Sequence, residues 1–219
     1  MSVIECLVVD ETLRYYEDNA DEVTRVYEEV EFSRVIDRIL FYTRPGDRLL
    51  DIGSGSGRDA ARLLSLGLDV TILDGSTEML KRATSLHPEL AGRELLCPLP
   101  GRIPVPSERF QAATAWAVLM HFEKDALPEL FSEIARVLKP GGLFAYSANT
   151  MRSGLDSKEN DSRGRHFTCL HATEWESLHV AAGFKTLEAE ETTDITGRPG
   201  IRWATYYTRK TSDEPQHTR

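Results

Sequence analysis

The chain is poor in cysteine, in concentrated positive charge and in long apolar runs. Three cysteines, Cys6, Cys97 and Cys169, are spread over 219 residues. Their odd number and wide separation argue against a disulfide framework or a cysteine-rich zinc site and fit a reducing compartment. Lys and Arg total 26 against 35 Asp and Glu, a net charge of -9 at pH 7. No basic block stands against that balance, so phosphate backbones are repelled at long range and nucleic acid is not expected as a partner. No apolar stretch approaches the roughly 20 residues that cross a bilayer. The start, MSVIECLVVDE, lacks the basic opening and long apolar segment of a signal peptide. The expectation is a cytoplasmic protein with no membrane association.

What is present fits an ordinary globular protein: 41% hydrophobic and 28% charged residues. The length suits one well-buried core, read as a single domain over residues 1–209 and a disordered tail over 210–219. Residues 1–44 form a helical preamble, with Val23, Val26, Tyr27, Val30, Ile36 and Leu40 at helical spacing. Pro45-Gly46-Asp47 breaks it. Strands are then expected at Leu49–Ile52, Asp69–Asp74, Glu94–Cys97, Phe110–Trp116 and Leu143–Ser147, alternating with helices from Arg58, Ser76 and Lys124. Pro98 to Pro106 reads as a fixed loop, because its prolines suppress both helix and ladder. Lys139-Pro140-Gly141-Gly142 is expected to stop the third of these helices. Residues 149–165 are polar and read as a mobile loop; a helix over Thr173–Ala182 and strands at Lys185–Glu191 and Arg202–Arg209 follow. Strand–helix alternation calls for a parallel sheet with helices on both faces.

The organising stretch is Leu49 to Arg62, LLDIGSGSGRDAAR. An apolar strand runs through Gly53-Ser54-Gly55-Ser56-Gly57 directly into a helix, so a ligand can lie against bare backbone at the helix's amino end. The dinucleotide fingerprint G-x-G-x-x-G is missed, since Arg58 stands where its third glycine belongs, and no Gly-Lys-Ser/Thr follows for a phosphate loop. Asp74 ends the next strand, twenty-one positions after Gly53, where an acid accepts hydrogen bonds from a ribose diol or caps a helix. Asp51 is placed to attract a cation such as an amino-acid ammonium, or to serve as a turn residue. Ser76 has a hydroxyl suited to capping the next helix.

Asp51-x-Gly53-x-Gly55-x-Gly57, then Val70-Thr71-Ile72-Leu73-Asp74 with Ser76-Thr77-Glu78-Met79-Leu80, then Arg136-Val137-Leu138-Lys139-Pro140-Gly141-Gly142, resembles the class I S-adenosylmethionine-dependent methyltransferases. The correspondence spans roughly Tyr15 to Arg209, and the Tyr15-Tyr16 start and the Arg165-His166-Phe167-Thr168 and Gly197-Arg198 segments are similar to a bacterial, small-molecule-type branch. The resemblance implies an α/β, three-layer Rossmann-like sandwich whose seven-stranded, mostly parallel sheet has its last strand antiparallel. It implies S-adenosylmethionine as cofactor, S-adenosylhomocysteine as product, and a small-molecule acceptor. Gly53, Ser54 and Gly55 would meet the methionine moiety, and Asp74 the ribose. Gly75, Ser76 and Met79 would lie around the adenine side, and Trp116 and Ala117 at the sulfonium end. Members often carry an acid after the third strand that bonds the adenine amino group; here that turn is Cys97-Pro98-Leu99, leaving Leu99 to hold the ring by packing and backbone.

Methyl transfer is an in-line displacement with a good leaving group, so alignment in a dry site is the main requirement and a base is optional. His121, just beyond the fourth strand, is the expected catalytic residue, with an ordinary pKa suited to proton transfer; a histidine that merely packs the loop is the alternative. Tyr16, with Tyr15, either folds over the cofactor as a lid or packs as core. Arg202 and Trp203 are read as strand packing and surface charge. His166, Cys169 and His171 lack a fourth ligand, so no metal is expected. A monomer or homodimer is the expected state. A non-catalytic S-adenosylmethionine sensor and a nicotinamide oxidoreductase remain the alternative functions.

Overall fold

The computed structural model describes residues 11–30, 33–194 and 196–212. Cys6 and residues 213–219 of the expected tail lie outside them; Lys210 itself closes the last strand.

The amino-terminal preamble is three helices: α1 (Glu11–Asp18), α2 (Ala20–Glu28) and α3 (Ser33–Tyr42). Asn19 parts the first two, its Nδ2 donating to the Tyr15 carbonyl at 2.8 Å, a local bond that Asn side chains offer in competition with helix. Then come β1 (Arg48–Ile52), α4 (Arg58–Ser65), β2 (Asp69–Asp74), α5 (Thr77–Leu86), β3 (Glu94–Leu96), β4 (Phe110–Trp116), α6 (Leu127–Val137), β5 (Leu138–Arg152), α7 (Ala172–Ala181), β6 (Phe184–Thr193) and β7 (Ile201–Lys210).

The seven strands form one sheet in the order β3-β2-β1-β4-β5-β7-β6. The pairings among β1 to β5 are parallel, while β7 runs antiparallel to both β5 and β6. This is the Rossmann-like three-layer sandwich expected from the sequence. Strand side chains alternate between two cores, as their period of two requires. Leu50, Ile52, Ala113, Ala115, Phe144 and Tyr146 face α6 and α7. Leu49, Val70, Ile72, Ala112, Leu143 and Ala145 face α3, α4 and α5.

The sequence misplaces one boundary that matters. It expects Lys139-Pro140-Gly141-Gly142 to separate a helix ending near Leu138 from a β5 confined to Leu143–Ser147; the helix does end there, at Val137. Yet Leu138 already pairs with Phe110, a bulge carries the chain through the glycines, and β5 continues to Arg152 against β7. Gly142 is required at the bulge, since a Cβ there would sit 2.8 Å from the Lys139 carbonyl oxygen. Asn149 to Arg152, expected in the loop, are therefore strand, and Asn149 is fully buried.

The rest of that segment, 153–165, folds on itself. Asp156 Oδ1 accepts from the backbone N–H groups of Lys158 (2.8 Å) and Asn160 (2.9 Å), and Asp161 Oδ1 does the same for Arg163 (2.9 Å) and Arg165 (3.0 Å). These are Asx-type turns, which short acidic side chains build without apolar anchors. No described helix is long and apolar enough to cross a membrane.

Candidate functional site

The carboxyl ends of β1 and β2 and the amino ends of α4 and α5 converge on the glycine turn. Gly53, Gly55 and Gly57 all have positive φ, at 63°, 58° and 80°, a region that side-chain-bearing residues avoid. Space is as restrictive as conformation. A Cβ on Gly53 would lie 2.3 Å from Val118, and one on Gly57 2.7 Å from Leu90. The N–H groups of Gly53 and Ser54 both donate to the Leu73 carbonyl, at 2.7 and 3.1 Å, which welds the turn to the end of β2. Ser54 Oγ is buried without a hydrogen-bond partner, an acceptor and donor held ready for a polar ligand.

Two acids flank the turn. Asp51 is buried, and its Oδ1 accepts from Thr114 Oγ at 2.7 Å. Burial raises its pKa to about 7, against the lowering effect of that bond. Asp74 Oδ2 accepts from the Gly55 N–H at 3.3 Å and Oδ1 from the Ser76 N–H at 3.0 Å. Burial lifts it to about 6, with these backbone bonds opposing. Each bonded oxygen retains acceptor capacity, so Asp74 both braces the turn and can receive a diol. The helix-capping role belongs to Ser76, whose Oγ accepts from the Met79 N–H at 3.0 Å.

Helix α1 lies across this cradle. Leu13 approaches Gly75, where an added Cβ would be 3.1 Å from its Cδ1. Glu17 accepts from the Ser76 hydroxyl and, at 3.2 Å, from the Glu78 N–H, capping α5 from outside. Thr12 Oγ accepts from the His166 N–H at 2.9 Å. Helix α2 adds Tyr27, whose ring would be 3.2 Å from a Cβ on Gly55. Arg58, the residue that breaks the dinucleotide fingerprint, donates to the carbonyls of Tyr27 and Val30, and so ties the end of α2 to the glycine turn.

His121 sits half-buried beyond β4 in a polar clamp. The His166 carbonyl, 2.7 Å from Nδ1, can only accept, so Nδ1 carries the proton. Nε2 then accepts from the Tyr16 hydroxyl at 2.9 Å. Burial, helped by Arg165 and Arg152, brings the His121 pKa down to about 4, so the ring is neutral near pH 7. Tyr16 in turn is hydrogen-bonded to Tyr27 and Arg165, and burial raises its pKa, keeping the phenol protonated.

The remaining expected site residues fall less uniformly. Gly75, Ser76 and Met79 stand at the start of α5, with Met79 buried among Ala20, Val23, Tyr15 and Tyr16. Ala117 has a φ of 55°, and its N–H donates to Ser147 Oγ at 3.1 Å. Leu99 packs on the α6–α7 core. The Trp116 ring, expected at the sulfonium end, lies beside Tyr207 on the α3–α4 face, with centroids 6.3 Å apart. Strand alternation sends it there, since 112, 114 and 116 share one side of β4. Among the described residues no group of three or more His, Cys, Asp or Glu could hold a metal ion. His171 caps α7 through a capping box with Glu174.

A family model for a methyltransferase domain matches residues 49–142. That segment holds the cradle, Asp74 and His121. That match and the seven-stranded sheet together give the class I methyltransferase fold. Its resemblance to the uncharacterized methyltransferase YodH of Bacillus subtilis is 32% identity over 154 residues, 66% of this chain and 63% of that protein. With the biotin biosynthesis bifunctional protein BioHC of Cellvibrio japonicus the identity is 37% over 95 residues, 43% of this chain and 18% of that one. The chain thus spans less than two thirds of either relative. The methyltransferase domain's fold also matches a Burkholderia thailandensis 1,6-didemethyltoxoflavin-N1-methyltransferase, solved with 1,6-didemethyltoxoflavin and S-adenosylhomocysteine. That likeness has a TM-score of 0.72 at 23% identity, over 92% of this chain and 88% of that one.

The sequence reading missed Tyr27, Leu13, Glu17, Val118 and Thr114, which pack around the candidate site. Val26 and Tyr27 read as ordinary positions on an apolar stripe, and only the packing of α2 over Gly55 distinguishes Tyr27.

Proposed function

We propose that the protein transfers a methyl group from S-adenosylmethionine to a small-molecule acceptor. The observation that carries this reading is the cradle itself: a bare glycine turn with an orphaned Ser54 hydroxyl, flanked by the buried Asp51 and the half-buried Asp74 at the ends of β1 and β2. Gly53, Ser54 and Gly55 would hold the methionine end, Asp51 its ammonium, and Asp74 the ribose hydroxyls. The adenine side belongs to Gly75, Met79, Leu13 and Leu99. Bound there, the cofactor supplies an electrophilic methyl on a sulfonium.

The protein's own task is alignment and water exclusion. Helices α1 and α2 cover the cradle, and Tyr16 and Tyr27 face it as protonated phenols. His121 serves as a proton acceptor through Tyr16. Its low pKa keeps Nε2 unprotonated near neutrality, so a proton released from the acceptor to the Tyr16 oxygen passes on, with the phenolic proton moving to Nε2. An imidazole this acidic holds such a proton only in transit. An acceptor that attacks as an anion needs no such help, and the pair then only positions it.

Calorimetry with S-adenosylhomocysteine, followed by transfer of isotopically labelled methyl to fractionated small-molecule pools, tests the proposal. Binding with transfer to a low-molecular-weight product is the expected result. Binding without transfer to any pool favours the sensor reading, and binding of NAD(P)H in place of the adenosyl ligand overturns the cofactor assignment.

A further inference from the structure

Arg152 ends β5 next to Phe167, and its side chain is only 10% exposed. The guanidinium lies over the Phe167 ring, 3.7 Å from its centroid, and the other side of the neighbourhood is His121, whose ring centroid is 4.7 Å from that of Phe167. Stacking fixes the plane of the guanidinium but leaves its N–H groups unused. The carboxylate facing it is Asp161, at 3.8 Å, beyond hydrogen-bond reach.

Asp161 is already committed. Its Oδ2 accepts from Arg165 Nε at 3.0 Å and Nη2 at 2.6 Å, and its Oδ1 from the two backbone N–H groups of the Asx turn. Asp194 is likewise taken by Arg198, with bonds of 3.1 and 2.7 Å, and by Trp203 Nε1 at 3.1 Å. The groups that act most strongly on Arg152 are Arg165, Arg198, Asp161 and the Cys169 thiol. Three guanidinium groups therefore share two carboxylates, with one positive charge in excess. His121, held neutral, adds none. A cation this little exposed, with free planar donors and no hydrogen-bonded anion, is costly unless something supplies one.

We propose that Arg152 is the anchor for a carboxylate on the methyl acceptor, which makes the substrate class a small organic acid. The planar fork matches a carboxylate in two parallel N–H···O bonds, and Phe167 beneath it sets the orientation. From Arg152 the contacts run through Phe167, His121 and Tyr16 to Tyr27 over Gly55, so an acid anchored there points its remaining atoms toward the cradle. This inference rests on the methyltransferase reading for the word acceptor, but the anion site stands on its own geometry.

The test is titration of benzoate, with acetate as the smallest carboxylate and benzamide as the neutral isostere, followed by the Nε–H resonances of 15N-labelled arginine. The protein is first saturated with S-adenosylhomocysteine; if that ligand does not bind, the methyltransferase reading fails and the titration proceeds on the free protein. Saturable binding of both acids with the Arg152 resonance shifting, and benzoate at least about tenfold tighter than benzamide, is expected for a charge-assisted pair. Arg152→Gln should lose about tenfold or more, while Arg152→Lys, which keeps the charge but not the planar fork, recovers part of the affinity. Equal binding of benzoate and benzamide, no saturable binding of either acid, or unchanged affinity in a folded Arg152→Gln protein overturns the proposal. Should Arg152→Gln fail to fold, the wild-type resonance and the lysine variant decide between the same two outcomes.

Discussion

If Asp51 receives the cofactor's ammonium, affinity for S-adenosylhomocysteine must follow the ionisation of that acid. Burial holds the Asp51 pKa at about 7 in the ligand-free protein, and only the carboxylate attracts a cation. Between pH 7.5 and pH 6 its ionised fraction falls from about three-quarters to about one-tenth, a change of about eightfold, or about 1.2 kcal/mol. Asp74, with a pKa of about 6, loses about half its ionisation over the same interval and adds about twofold. The ligand's amine stays mostly protonated in that window. Calorimetry should therefore record affinity falling by about 15-fold in the wild type as pH drops from 7.5 to 6. Asp51→Asn should bind more weakly at pH 7.5 and keep only the twofold dependence that Asp74 supplies. Thr114 Oγ, which donates to Asp51, can also donate to an asparagine carbonyl, so the variant preserves the local bond. A wild-type affinity that is flat over this range, or an equally steep slope in Asp51→Asn, would refute the placement of the ammonium.

Asp74→Ala should weaken S-adenosylhomocysteine binding by about 1–3 kcal/mol, the range for a lost charge-assisted bond; unchanged calorimetric affinity in a folded variant contradicts the ribose assignment. Gly57→Ala places a Cβ 2.7 Å from Leu90 and 3.1 Å from Ala83 at a φ of 80°. It should cost at least about 1–2 kcal/mol of stability in urea melts. His179 is buried between the Tyr146 hydroxyl and Thr186 Oγ, each 2.8 Å away, and desolvation depresses its pKa to about 4. Its contribution is therefore full above the unfolded value near 6.5 and is lost as pH falls toward 4, at up to about 1.4 kcal/mol per unit. Urea midpoints at pH 6.5 and 4.5 should fall further in the wild type than in His179→Gln, and parallel losses would count against this account.

The sequence by itself determined the sheet and the cradle. Short apolar stretches located β1, β2 and β4, with β4 matched at both ends, and Ser76 marked the start of α5. The glycine turn and the two acids were legible because backbone freedom and strand-end position are local properties. The end of β5 was not. Asn149 to Arg152 are polar, and only pairing with β7 makes them strand. That extension carries Arg152 to Phe167 and away from the loop in which its composition had placed it. The choice between lid and core packing for Tyr16 stayed open for a similar reason: a helical stripe reveals which residues are buried but not against what, so Tyr16, Glu17 and Tyr27 acquired their partners only when α1 and α2 packed across the turn. His121 was found from its position after β4, yet its protonation state required the His166 carbonyl and the Tyr16 hydroxyl, 45 and 105 residues away. Local chain chemistry chose the glycine cradle; long-range packing decided the charge and hydrogen bonding of the groups around His121.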